Sequence, residues 1–128
     1  MIVVVALGSA IGGVARLLLG AAVQQRVGPG FPAATLVINV TGSLLLGFLM
    51  RFALATFAIA PEMRGFLTTG LCGGYTTFST FTLETMTLLE DGELSRAAGY
   101  VAASVALALI GVYLGAVAAG ALIALGQR

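Results

Sequence analysis

The chain has 128 residues, of which 59% are hydrophobic and 9% charged, with a formal net charge of +1 and a mean hydropathy of +1.10. A water-soluble domain carries roughly a quarter of its residues as charges, so this composition excludes a soluble fold and implies an integral membrane protein. No basic run offers itself to nucleic acid, there is no histidine, and the lone Cys72 excludes an internal disulfide and speaks against a metal cluster. The acids are confined to Glu62, Glu84, Glu90, Asp91 and Glu93, which leaves an intramembrane enzyme little to work with; the chain is not expected to be one.

About 20 apolar residues carry a helix across a bilayer, and four such runs follow one another at residues 2–23, 33–57, 65–89 and 95–125. The first opens "MIVVVALGSAIGG" with no basic residue ahead of its apolar core, so it reads as a span and not as a cleaved signal peptide. Gly28, Pro29, Gly30 and Pro32 mark the loop that ends it. "APEMRG" separates the second run from the third and "EDGE" the third from the fourth, with Ser95 a candidate N-cap. The expectation is one transmembrane domain over residues 1–128, an all-α integral membrane protein of four transmembrane helices, multi-pass in the cell (inner) membrane.

Arg26 and Arg96 fall on one side of these spans, and Arg51, Arg64 and Arg128 on the other. A difference of one basic residue does not fix an orientation. Insertion in both directions, with pairing as an antiparallel dual-topology dimer, is one outcome; a single orientation set by a weak bias is the other. Gly8 with Gly12, and Gly111 with Gly115, stand four apart, a spacing that lets helices approach closely in lipid.

Polar groups inside the spans carry the functional reading. Arg16 lies beyond the middle of the first, where an ionised side chain is partnered or functional; Glu84 lies in the second half of the third. The two could form a pair, or Arg16 could stand in a wet vestibule and raise the local anion concentration. In the second span Thr35, Asn39 and Gly42 share a face. An unpaired Asn39 amide at that depth would cost several kcal/mol, so it either bonds a neighbouring helix or offers its N–H to an anion.

The third span contains "GLCGGYTTFSTF", residues 70–81. Gly73 and Gly74 each weaken a helix by about 1 kcal/mol relative to alanine, and the hydroxyls of Tyr75, Thr76 and Thr77 follow. The helix is therefore expected to break near its middle, at the glycine pair. Carbonyls closing the first half would suit a cation, and N–H groups opening the second would suit an anion; a plain packing kink is the other reading. Phe78 and Phe81 face the same way beyond the break, either packing or turning the positive edges of their rings to an anion. Ser79 and Thr80 add donors. In the fourth span Tyr100 and Ser104 are one turn apart and align as a short polar track, although Ser104 could equally bond its own helix.

At these residues the chain resembles the Fluc (CrcB-type) fluoride channels. The resemblance rests on "GSAIGGVARL", "TLVINVTGS" and "GLCGGYTTFSTF", and the combination of "GGYTTFSTF" with an upstream "N-x-x-G" is specific; size and span count agree over essentially the whole chain. It implies a passive, fluoride-selective channel built as an antiparallel homodimer, with two pores and a sodium ion buried at the dimer centre. Asn39 would donate its amide to fluoride, and Phe78 and Phe81 would present ring edges. Tyr100 and Ser104, with Thr35, Thr77 and Thr80, would complete the pathway, and Arg16 and Glu84 would stand in its vestibule. The backbone carbonyls of Gly73 and Thr76 would hold the sodium. Ala108 departs from the pattern, since a serine often continues the track there. Two rivals stand beside this reading. A proton-coupled exporter of the small multidrug type needs a carboxylate, expected in the first helix, which has Arg16 and no acid. A structural subunit of a membrane complex would leave residues 73–81 without a task.

Overall fold

The computed structural model describes residues 1–55 and 59–126; the end of the second expected span at residues 56–57, and Arg128, lie outside the described residues. Helix α1, Ile2–Val27, runs four residues beyond the expected end and stops at Gly28, whose φ of 82° is open to glycine without strain. The Gln24 side chain secures that stop by donating to the Gly28 carbonyl at 2.6 Å. Helix α2 is Ala33–Ala55. The third segment begins with α3, Pro61–Gly65, where Pro61 gives up no hydrogen bond because the first N–H groups of a helix lack partners anyway. It passes through a π-helical stretch, Phe66–Cys72, into α4, Gly73–Tyr75. Thr76 and Thr77 are extended, and α5 follows as Phe78–Glu90.

Helix α6 is Leu94–Gly126. The Ala97 N–H closes on the Glu93 carbonyl, so the N-cap position falls to Glu93 and not to Ser95. Glu93 also pairs with Arg96 at 2.7 Å. Arg96 reaches the Gly30 carbonyl at 3.5 Å, which places it at the same end of the bundle as the α1–α2 loop. Arg64, at the other end, donates to the Ala53 carbonyl near the close of α2 at 3.2 Å, supplying a partner to a group that helix ends leave bare.

Helices α1, α2 and α6 are each long and apolar enough to cross a membrane. Only 11% of the α1 span window is buried within the chain, and 17% of that of α6. Leu17, Leu18, Leu109 and Tyr113 are among the large side chains left facing outward. Lipid or another apolar surface can cover such faces; water cannot.

Backbones make the tight contacts. A Cβ on Gly8 would stand 2.6 Å from the Phe66 carbonyl oxygen, and one on Gly12 would collide with that of Leu71, so α1 lies directly on the first half of the third segment. A Cβ on Gly115 would likewise collide with the Leu44 carbonyl, seating α6 on α2. In both pairs the contacts advance in the same direction along the two chains, so the helices of each pair run parallel.

The break does not fall on the glycine pair. Gly73 is helical, with φ −64° and ψ −38°, and the chain leaves the helix at Thr76 and Thr77. Gly74 serves close approach instead, since a Cβ there would stand 2.5 Å from the Ser9 carbonyl oxygen.

Candidate functional site

Thr77 is held from two directions. Its N–H donates to Asn39 Oδ1 at 2.9 Å, and its carbonyl accepts from Asn39 Nδ2 at 3.0 Å. The amide of one side chain thus satisfies both main-chain groups of a residue in the break, as non-helical backbone at membrane depth requires. The Thr77 hydroxyl accepts the Thr80 N–H at 3.2 Å and bonds the Thr80 hydroxyl at 2.8 Å, capping α5.

These bonds redirect donors. In a continuous helix the Thr77 N–H would close on the Gly73 carbonyl and the Thr80 N–H on the Thr76 carbonyl. Asn39 takes the first and the Thr77 hydroxyl takes the second. Both carbonyls are thereby released from their helical donors.

The motif around Asn39 also accommodates the other strand of the break. Gly42 leaves room for the Thr76 methyl and the Tyr75 ring, where a Cβ would stand 2.9 Å from Tyr75 Cδ1. Thr41 bonds the Tyr75 hydroxyl at 2.8 Å. Neither Thr41 nor Tyr75 stands out as a site residue in the sequence. The signal that pairs them is Thr41's place two residues beyond Asn39 and Tyr75's two before Thr77.

Glu84 sits one helical stretch further along α5. It accepts from the Thr35 hydroxyl at 2.8 Å and from the Tyr100 hydroxyl at 2.7 Å. Both donors are buried, Tyr100 completely, so the hydroxyl hydrogens of Thr35 and Tyr100 point at the carboxylate. Among the described residues Arg16 makes no ion pair with Glu84. Arg16 is half-buried and lines a groove of about 930 Å³ together with Ser9, Gln24, Thr35, Thr77 and Thr80.

A second cavity, of about 270 Å³, lies against the break. Asn39 and Ser43 line it from α2, Phe78 and Phe81 from α5, and Ser104 and Ala108 from α6. Phe81 is buried and its ring centre lies 5.2 Å from that of Tyr100; Phe78, 5.6 Å from Phe81, is 76% exposed. The Ser104 hydroxyl oxygen is buried and without a hydrogen-bond partner. Buried hydroxyls are nearly always paired, so this donor faces the cavity with its bonding unspent. The structure thus brings Asn39, Phe78, Phe81 and Ser104 to one cavity and Arg16, Thr35, Thr77 and Thr80 to a neighbouring groove, with Thr77 bordering both.

Residues 3–116 match the family described as CrcB-like protein, camphor resistance (CrcB). The chain belongs to the CrcB family. It is 48% identical over 114 residues to the Fluoride-specific ion channel FluC of Rhizobium meliloti, covering 89% of this chain and 91% of the relative. With the protein of the same name from Geobacter metallireducens the identity is 51% over 114 residues, covering 89% and 92%. With that from Geobacter sulfurreducens it is 48% over 118 residues, covering 92% and 95%. These CrcB relatives are named as channels, not enzymes. The matched residues take in every side chain of the Asn39–Thr77 clasp, the cavity and the groove.

Proposed function

We propose that the chain is a fluoride-selective channel that lets fluoride leave the cytoplasm passively across the inner membrane, down its electrochemical gradient. The observation that carries this reading is the unpaired Ser104 hydroxyl, buried in a cavity that it shares with Asn39, Phe78 and Phe81. The names of the relatives supply the ion. Fluoride is small and strongly hydrated, so its path must replace water with donors and positive ring edges that bind weakly enough to let go. Asn39 fits this part in a specific way. One of its two amide hydrogens holds Thr77, and the other remains for the ion. Arg16, in the adjoining groove, would draw anions toward the path without standing in it. A proton-coupled exporter finds no support, since α1 carries Arg16 and no acid.

The same reading includes a second, oppositely inserted copy. Phe78 is a large ring left open beside the break, and Gly73 is exposed with nothing near its missing Cβ but the Thr68 carbonyl oxygen at 4.0 Å. A twofold partner laid on this face would cover both. It would also bring a second pair of released Gly73 and Thr76 carbonyls to the first, an all-oxygen donor set without acidic side chains, fit for a sodium ion. Such an ion would supply a fixed positive centre joining the two copies, and the carbonyls freed by Asn39 and Thr77 are what would bind it.

The test is efflux from liposomes that contain only the purified protein, read with a fluoride electrode and compared with chloride. Rapid fluoride loss with chloride retained is expected; equal loss of both ions, or of neither, removes the reading.

A further inference from the structure

Several threonine hydroxyls of this chain are turned back on the backbone of their own segment. Those of Thr41, Thr68, Thr76, Thr85 and Thr87 each donate to the carbonyl four residues earlier, the common fate of a hydroxyl in a membrane helix. Ser43 makes no such bond. Among the described residues its hydroxyl has no hydrogen-bond partner, and its side chain lines the cavity that holds Ser104.

The register of α2 and α6 shows what Ser43 stands opposite. Thr35 and Tyr100 meet on the two oxygens of Glu84, and three turns on Gly47 rests on the backbone of Val112. The helices run parallel, so equal steps of four residues, about 6 Å each, keep them in register between those points. The intermediate rungs are Asn39 with Ser104 and Ser43 with Ala108, and all four residues line the same cavity. The first rung is polar on both sides and already bonded. The second has an amide and an unpaired hydroxyl. The third has a hydroxyl on α2 and only the methyl of Ala108 on α6, with Leu46 and Val105 lining the cavity beside them.

We infer that Ser43 is a further donor of the anion path, carrying the ion one turn beyond Ser104 on a rung where α6 offers nothing polar. The inference rests on the channel reading and extends it to a residue on the opposite wall. An anion leaving Ser104 in that direction meets only hydrocarbon unless Ser43 turns its hydroxyl inward. The hydroxyl is free to do so because no carbonyl of its own helix holds it.

The experiment compares fluoride efflux from liposomes loaded with the wild-type protein, Ser43→Ala, Ala108→Ser and the double variant. Removing one neutral donor should slow Ser43→Ala by about three- to tenfold. Moving the hydroxyl across the rung in the Ser43→Ala, Ala108→Ser variant should return most of the rate. That rescue is the decisive readout, because a serine that merely fills space would not be replaced by a hydroxyl on another helix. Wild-type efflux from Ser43→Ala overturns the inference, as does a slowed rate that Ala108→Ser leaves unchanged. Should Ser43→Ala not assemble, Ser43→Cys keeps the volume with a weaker donor and is held to the same two outcomes. Absence of efflux from the wild-type protein is the separate failure of the channel reading itself.

Discussion

Asn39 holds Thr77 by both of its main-chain groups, at 2.9 and 3.0 Å, across 38 residues of sequence. An extended residue inside a bilayer must find such a partner or leave its N–H and C=O bare. Asn39→Ala would leave both bare, at about 1–3 kcal/mol for each group. A lower melting temperature in detergent is expected together with loss of fluoride efflux. Asn39→Asp keeps the acceptor for the Thr77 N–H and loses the donor to its carbonyl, while setting a negative charge on the cavity wall. It should melt below the wild type and conduct no fluoride. An Asn39→Ala protein that melts like the wild type would dissolve the clasp.

The two adjacent glycines make a second prediction because their surroundings are opposite. A methyl on Gly74 would meet the Ser9 backbone at 2.5–2.7 Å, backbone that cannot step aside. A methyl on Gly73 enters open space within the chain and favours the helix by about 1 kcal/mol. Gly74→Ala should therefore lower the melting temperature by pushing α1 from α4. Gly73→Ala should leave the fold of one copy intact and weaken association of two. Size-exclusion chromatography and thermal melting on both variants separate these effects, and a Gly73→Ala protein that stays paired and sodium-responsive would take Gly73 away from the interface.

What sequence made legible, and what it did not, follows from the range of the forces involved. The long helices could be read directly, because a bilayer demands internal backbone bonding over a run of known length and hydropathy measures that run. That α1 and α6 carry glycines four apart for close approach was equally readable, since the spacing is local. The break was expected three residues too early. Gly73 and Gly74 mark where the third segment is intrinsically weak, but the chain parts where Asn39, on another helix, takes the Thr77 N–H. Propensity locates weakness; a distant side chain chooses the cut. The same holds for Glu84. Its acceptance of Thr35 and Tyr100 joins three segments, and a helical wheel of any one of them carries no trace of the other two.

Tyr100 offers a third prediction. Its hydroxyl is fully buried and donates to the Glu84 carboxyl group at 2.7 Å, so Tyr100→Phe leaves a part-buried acceptor one donor short and should cost about 1–3 kcal/mol of stability. Glu84 keeps Thr35 as a donor, and the ring contacts with Phe31 and Phe81 persist. Efflux measured well below the melting transition should change little, since the hydroxyl hydrogen serves Glu84 and not the passing ion. A protein of normal stability whose fluoride efflux collapses would reverse that assignment and make the Tyr100 hydroxyl a donor of the path.

Phe78 and Phe81 stand three residues apart on α5 yet in different surroundings, and replacing each by isoleucine should give different results. Phe81 is 9% exposed and packs against Tyr100; Phe78 is 76% exposed. Phe81→Ile should lower the melting temperature, because a buried ring loses its contacts and leaves unfilled volume, at about 1–3 kcal/mol. Phe78→Ile removes little packing within one copy, so stability should hold within about 0.5 kcal/mol. If the edge of the Phe78 ring serves the ion, fluoride efflux should nevertheless fall, because isoleucine is apolar without the positive rim that a phenyl ring presents. The informative comparison is therefore efflux from a stable Phe78→Ile protein against that from the wild type. Equal rates would confine Phe78 to packing against a second copy and leave the anion to Asn39 and the serines.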